Sequence, residues 1–225
     1  MQTLPPLTQK GERSTADLLR DRSRDKADMA TQSAVFADNA VDAAAVGFIC
    51  AHLQGADKPV LWIQDRLSRR EAGKPCLAGL PTPIRLITVD VSKPVDVLWA
   101  MEEGLRCTSL SGVVGNIWGD PPALDFTASK RLALRAEARA LPCWLIRRAA
   151  HPNLSAARMR WRLRSLPSAP VRHDSRAPGQ ALWQADLFRA RWQTPGEWVA
   201  HHGAKGIVLD HGQHHKTAPI REMHA

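Results

Sequence analysis

Residues 84–118 read IRLITVDVSKPVDVLWAMEEGLRCTSLSGVVGNIW, and the reading of this stretch decides the fold. Ile84 to Val91 (IRLITVDV) is an apolar, β-branched run of strand length. Ser92 to Arg106 follows. Leu98, Met101 and Leu105 recur there at helical spacing, while Glu102 and Glu103 face elsewhere. Gly112 to Trp118 (GVVGNIW) is a second apolar run. Strand, helix and strand in that order make a crossover unit, whose two strands run parallel.

Outward from this unit the same rhythm holds. Val60 to Gln64 (VLWIQ) follows Pro59 and is bounded by charge, as a strand buried on both faces would be. Pro142 to Ile146 (PCWLI) is another. Val41 to Leu53 (VDAAAVGFICAHL) is apolar on most sides and predicts a buried helix. Arg66 to Leu80 is polar, with Gly73, Pro75 and Gly79, and reads as a connection. Gly119-Asp120-Pro121-Pro122 breaks the chain. Asp125 or Thr127 then caps a helix running to about Ala140. Alternating strands and helices specify an α/β fold with a largely parallel central sheet flanked by helices.

After His151 the pattern changes. Ala157 to Leu166 reads ARMRWRLRSL, so Met159, Trp161 and Leu163 alternate with Arg158, Arg160, Arg162 and Arg164. Only a strand puts four arginines on one face and the apolar set on the other. Residues 167–180 read as a loop. Ala181 to Trp192 and Gly196 to His202 alternate again, and predict an antiparallel hairpin around Pro195-Gly196. The expected organisation is a flexible charged tail over 1–33, an α/β domain over 34–202 and a flexible His-rich tail over 203–225. There is no internal repeat.

Composition bounds the class. A chain of 225 residues accommodates one domain of roughly 150–200 residues plus tails. It needs no disulfide or metal to hold together. With 44% hydrophobic residues it is too apolar for wholesale disorder. No apolar run approaches the roughly 20 residues of a membrane span, and the N-terminus is not a secretory signal. Cys50, Cys76, Cys107 and Cys143 show no zinc spacing and sit among apolar residues, which predicts buried free thiols and a reducing, cytoplasmic compartment. Aromatics are eight Trp, four Phe and no Tyr, a thin supply for a sheet that stacks bases.

The chemistry of an enzyme is missing from the sequence. A phosphate-binding loop would be Gly-rich and end in Gly-Lys-Ser/Thr before the first helix. The equivalent stretch, Val35 to Ala43, has neither Gly nor Lys and carries Asp38 and Asp42. The strand Val113 to Ile117 ought to end in a magnesium-binding acid but offers Gly115 and Asn116, with Asp120 beyond it. There is no G-x-S-x-G and no HExxH. Asp65 and Asp90 stand at strand ends and read as loop caps. Asp210, His211, His214 and His215 read as an adventitious metal cluster in a tail. The sequence therefore predicts no catalytic residue, no cofactor and no metal.

The positive finding is basic. Lys130 to Arg176 holds twelve cations against two acids, Glu137 and Asp174, and so accounts for nearly all of the net charge of +9. Eleven of the twelve are Arg, the residue suited to bidentate pairing with phosphate or carboxylate. The candidate binding residues are Arg158, Arg160, Arg162 and Arg164, with Arg147, Arg148, Lys130 and Arg131. A charged edge strand protected against aggregation is the bland alternative. Four same-face arginines repel one another, which favours an anionic partner. If that partner is DNA, contact is to phosphates and independent of sequence.

These residues resemble a family. Val97 to Arg106 (VLWAMEEGLR), Gly112 to Gly119, Ala123 to Leu132 (ALDFTASKRL), Pro59 to Ile63 (PVLWI) and the Arg-Trp-Arg strand with Ser165-Leu166-Pro167-Ser168 are similar to the ImuA family of proteobacterial mutagenesis cassettes. The resemblance covers residues 35–202. It implies a RecA-like core and damage-induced (SOS) expression. It also implies a role in error-prone translesion synthesis beside an ImuB-like Y-family protein and a DnaE-type polymerase, cytoplasmic and nucleoid-associated. The absent phosphate loop departs from RecA itself, so ATPase activity is not carried over. Two alternatives follow from the same likeness: a SulA-like division inhibitor binding FtsZ, and a divergent DNA-dependent RecA-type ATPase.

Overall fold

The computed structural model describes residues 30–81 and 83–211. Strands β1 (Gln32–Ala37), β2 (Val60–Asp65), β3 (Leu86–Val91), β4 (Gly112–Trp118), β5 (Cys143–Arg148) and β6 (Met159–Leu166) run parallel in the order β6-β1-β5-β4-β2-β3. Strands β9 (Leu182–Ala190), β10 (Gly196–Gly203) and β11 (Gly206–His211) extend that sheet antiparallel beyond β6, giving nine strands. A separate two-stranded ribbon, β7 (Pro170–Val171) with β8 (Asp174–Pro178), stands where the composition predicts only loop.

Among the described residues four α-helices accompany the sheet. They are α1 (Ala44–His52), α2 (Arg66–Ala72), α3 (Pro94–Gly104) and α4 (Phe126–Arg139). The strand pleat separates two cores. On one face α1 packs on Val35, Val60, Trp62, Val114, Trp144 and Ile146, and continues over Trp161, Leu163 and Trp183. On the other, α3 and α4 cover Ile63, Val113, Ile117 and Leu145 with Leu98, Met101, Leu105 and Leu132. The helical spacing of Leu98, Met101 and Leu105 is thus a buried stripe. The helix α4 starts where Asp125 Oδ1 accepts the Ala128 N–H at 2.7 Å.

Several boundaries differ from expectation. The sheet starts inside the expected tail, because Gln32 and Ser33 are buried members of β1, its central strand. Their polarity conceals a strand that has neighbours on both sides. Residues 1–29 lie outside the described residues. At the other end Gly206–His211 is strand β11, paired along β10, so the sheet continues past 203; residues 212–225 lie outside the described residues. The polar connection contains α2, which buries only Ser68 and so shows no apolar stripe; Asp65 starts it by accepting the Ser68 N–H at 2.7 Å. Helix α1 begins at Ala44, because Asp42 Oδ1 takes the Ala44 N–H and holds the preceding residues in a turn.

The cysteines divide. Cys50 and Cys143 are buried, and burial pushes each thiol up to about 12. Cys76 and Cys107 are exposed, contrary to the expectation, since both sit in irregular connections outside the two cores. No helix among the described residues is long and apolar enough to cross a membrane.

Gly115 lies in β4 beneath α3, and a Cβ there would overlap Met101 Sδ, which is fully buried. Gly115→Ala is expected to destabilise the fold by about 1–3 kcal/mol through overpacking. Denaturant unfolding measures it, and an unchanged midpoint would contradict this packing of α3.

Candidate functional site

In open α/β sheets, ligands bind outside the carboxyl ends of the strands. Here that region is filled by the protein's own groups. Arg148, the last residue of β5, is 1% exposed. Its Nε donates to Asn116 Oδ1 of β4 at 3.1 Å. Its Nη1 donates to the carbonyls of Ala40 at 2.6 Å and Asp42 at 3.1 Å, in the loop joining β1 to α1. The Asp42 carboxylate accepts the Ala44 N–H, the Ser165 N–H at 2.7 Å and the Ser165 hydroxyl at 2.5 Å. Ser165 belongs to β6, so one polar chain crosses β4, β5, the β1–α1 loop and β6.

These contacts set the charges. Burial by itself raises the Asp42 carboxyl. The hydrogen bonds from Ser165 and Ala44 and the charge of Arg148 outweigh it and hold Asp42 below the usual 3.8. Burial lowers Arg148 from its ordinary value, and Asp42 opposes that.

Arg147 is also buried. Its Nη2 pairs with Asp120 Oδ1 at 2.5 Å, and its guanidinium lies 5.6 Å from the Phe36 ring. Asp120 further accepts the backbone N–H of His151 and contacts its Nδ1, each at 3.0 Å. Asp65, read as a loop cap, instead caps helix α2, and it also accepts the Trp118 N–H at 2.9 Å. Asp90 is not a cap. It pairs with Lys74 at 2.8 Å and Arg69 at 3.7 Å on the surface of β3.

Arg160, Arg162 and Arg164 share one face of β6, with Met159, Trp161 and Leu163 in the opposite core, while Arg158, expected within the strand, lies just before its first residue. They are not four free cations, however. Arg158 grips Glu137 of α4 through Nε at 2.5 Å and Nη2 at 3.1 Å, and these bonds hold Glu137 below the ordinary Glu value. Arg160 is 4% exposed and donates to the Asn153 carbonyl at 2.7 Å. Arg162 lies between Asp186 at 3.3 Å and Asp38 at 3.8 Å. Arg164 is exposed and donates to Gln184 Oε1 at 2.6 Å. Lys130 and Arg131 stand apart on α4. Lys130 is exposed, and Arg131 shares Glu102 of α3 with Arg135.

The eight candidates therefore do not form one patch. Apart from Glu137, the acids that neutralise them, Asp38, Asp42, Glu102, Asp120 and Asp186, come from outside the Lys130–Arg176 segment, and counting charges along the chain does not find them. Arg189 and Arg191, across the hairpin from the β6 arginines, escape the sequence reading. The only signal for them is strand pairing, which brings β9 beside β6.

Among the described residues no three His, Cys, Asp or Glu side chains are grouped to hold a metal. Asp210 pairs with His201 Nε2 at 3.1 Å on adjacent strands; His214 and His215 lie outside the described residues. No family model matches this chain, and no curated protein matches it.

Two outcomes are expected. Arg148→Ala strips Asn116 and the Ala40 carbonyl of their buried donor and is expected to cost roughly 3–5 kcal/mol, whereas Arg164→Ala stays within about 0.5 kcal/mol; equal unfolding midpoints would reject the structural role of Arg148. The second concerns pH. A carboxyl held low in the fold contributes stability above its unfolded value, and that stability is lost as pH falls from 3.8 through the lower folded value. Asp42→Asn should flatten that part of the acid-unfolding profile, and an unaltered profile would show that Asp42 carries no such linkage.

Proposed function

We propose that this protein is a non-catalytic accessory component of an SOS-induced, error-prone translesion synthesis complex. It works beside an ImuB-like Y-family protein and a DnaE-type polymerase, and its basic side meets the partner or DNA phosphates. The sheet is read as a RecA-like core with its first strand at the centre. The resemblance of Val97–Arg106, Gly112–Gly119, Ala123–Leu132 and the Arg-Trp-Arg strand to the ImuA family supports the reading.

The observation that carries it is the filled crevice. A nucleotide needs free backbone N–H groups and a Lys to hold its phosphates. At that position Asp42 presents a carboxylate, and its partners Ser165 and Arg148 already belong to the fold. An anion arriving there meets a like charge. A binding role on an α/β core fits this better than phosphoryl transfer.

The test is a pull-down of the tagged full chain from DNA-damaged cells. Recovery of the Y-family-like protein and the polymerase is expected, and recovery of neither would overturn the role. In parallel, the pure protein with single-stranded DNA should turn over no ATP above background. Turnover that is lost on substituting residues in 37–46 would establish the ATPase reading instead.

A further inference from the structure

We infer that the bulged corner between β6 and β9 is a binding site for single-stranded nucleic acid, in which arginines take phosphates and Trp192 stacks a base. The proposed role in DNA synthesis enters only in the choice of DNA over RNA.

The register of the two strands carries the inference. Arg160 lies opposite Arg189, and Trp161 lies opposite Leu187, so Phe188 is an extra residue on β9. Such a bulge re-aims the side chains beside it. Like charges directly opposite across a strand pair destabilise it. Just beyond the ends of the two strands Arg191 comes beside Arg158, where its N–H donates to the Arg158 carbonyl at 3.0 Å. Four arginines thus meet at this end of the strand pair. The one carboxylate paired with any of them among the described residues is Glu137, taken by Arg158 through two nitrogens.

Arg160 is the anomaly within this group. It is 4% exposed, and no carboxylate among the described residues pairs with it. Its Nε has no hydrogen-bond acceptor. Its guanidinium rests 5.5 Å from the Phe36 ring and 5.1 Å from the Phe188 ring, which offsets part of the burial. A buried cation with an unmet donor and two cationic neighbours is a costly arrangement for a fold to keep unless an anion completes it.

The exposed rim supplies the other half of the recognition. Arg189 and Arg191 are exposed, and Trp192 is 50% exposed with the Arg191 guanidinium 5.5 Å from its ring. Aromatic faces beside arginines hold single strands by stacking bases and tracking phosphates, without regard to sequence. A duplex keeps its bases stacked inside and offers the Trp192 ring nothing. The acids Asp38 and Asp186, with Glu197 beyond Gln184, sit around Arg162 and Arg164 at the other end of the face. They confine a polyanion to the bulge end.

Fluorescence anisotropy of a labelled oligodeoxythymidylate with the full chain tests this. Binding that weakens with salt is expected. Arg189→Ala should reduce the slope of log affinity against log salt by about 0.7, the share of one phosphate on a single strand. Trp192→Ala should weaken binding about tenfold, within the range for one stacked base. Both residues are exposed, so folding is retained, and Arg70→Ala on α2 is a control that binds as wild type. No binding by the wild type, or wild-type binding by both Arg189→Ala and Trp192→Ala, overturns the inference. So does polyglutamate competing as well as the oligonucleotide, which would assign the corner to an acidic protein. Duplex competing equally well overturns the single-strand assignment. Loss of this site with the polymerase partners still recovered leaves the accessory role standing; DNA binding without those partners does the reverse.

Discussion

A buried guanidinium holds the carboxyl ends of the central strands together. Arg148 reaches from β5 to Asn116 on β4 and to two carbonyls of the β1–α1 loop, and Asp42 in that loop takes hold of Ser165 on β6. A charge can stand in the interior only where hydrogen-bond acceptors surround it. The acceptors come from two segments, β4 and the β1–α1 loop, so the position of Arg148 fixes that loop and, through Asp42, the start of α1 and the end of β6. The same contacts occupy the crevice in which this class of sheet places its ligands. Stability and the filling of that crevice thus have one cause.

The distribution of charge follows from the same topology. Parallel strands bring together residues far apart in sequence, so a basic segment of the chain need not make a basic surface. Arg147 finds Asp120, Arg131 and Arg135 find Glu102, and Arg162 finds Asp38 and Asp186. What escapes compensation is the corner where a register shift sets arginine against arginine.

Much of the fold was legible because burial on both sheet faces writes itself as unbroken apolar runs. VLWI, GVVGNIW and PCWLI all became central strands. The Arg alternation of β6 was legible for the complementary reason, that one face is wet or polar. β1 was not, because Gln32 and Ser33 are buried by neighbouring strands rather than by their own hydrophobicity. α2 was not, because a cap at Asp65 rather than an apolar stripe holds it. Of the candidate site, the face was readable and the partners were not. Arg147 and Arg148 look like surface cations in sequence, and only the pairing of β5 with β4 and β1 reveals them as interior.

The placement of β1 has a consequence for how the molecule is made. Its two neighbours, β5 and β6, lie more than a hundred residues further along the chain. At synthesis rates of about 5–20 residues per second, the ribosome needs roughly 5–20 s to deliver them. Until then the backbone donors and acceptors along both sides of β1 have no permanent partner. Contacts of such long sequence separation are also the slow ones to close. The earliest strand of the sheet to emerge is therefore among the last to be seated, and a half-made chain carries its vacancy at the centre of the sheet rather than at an edge.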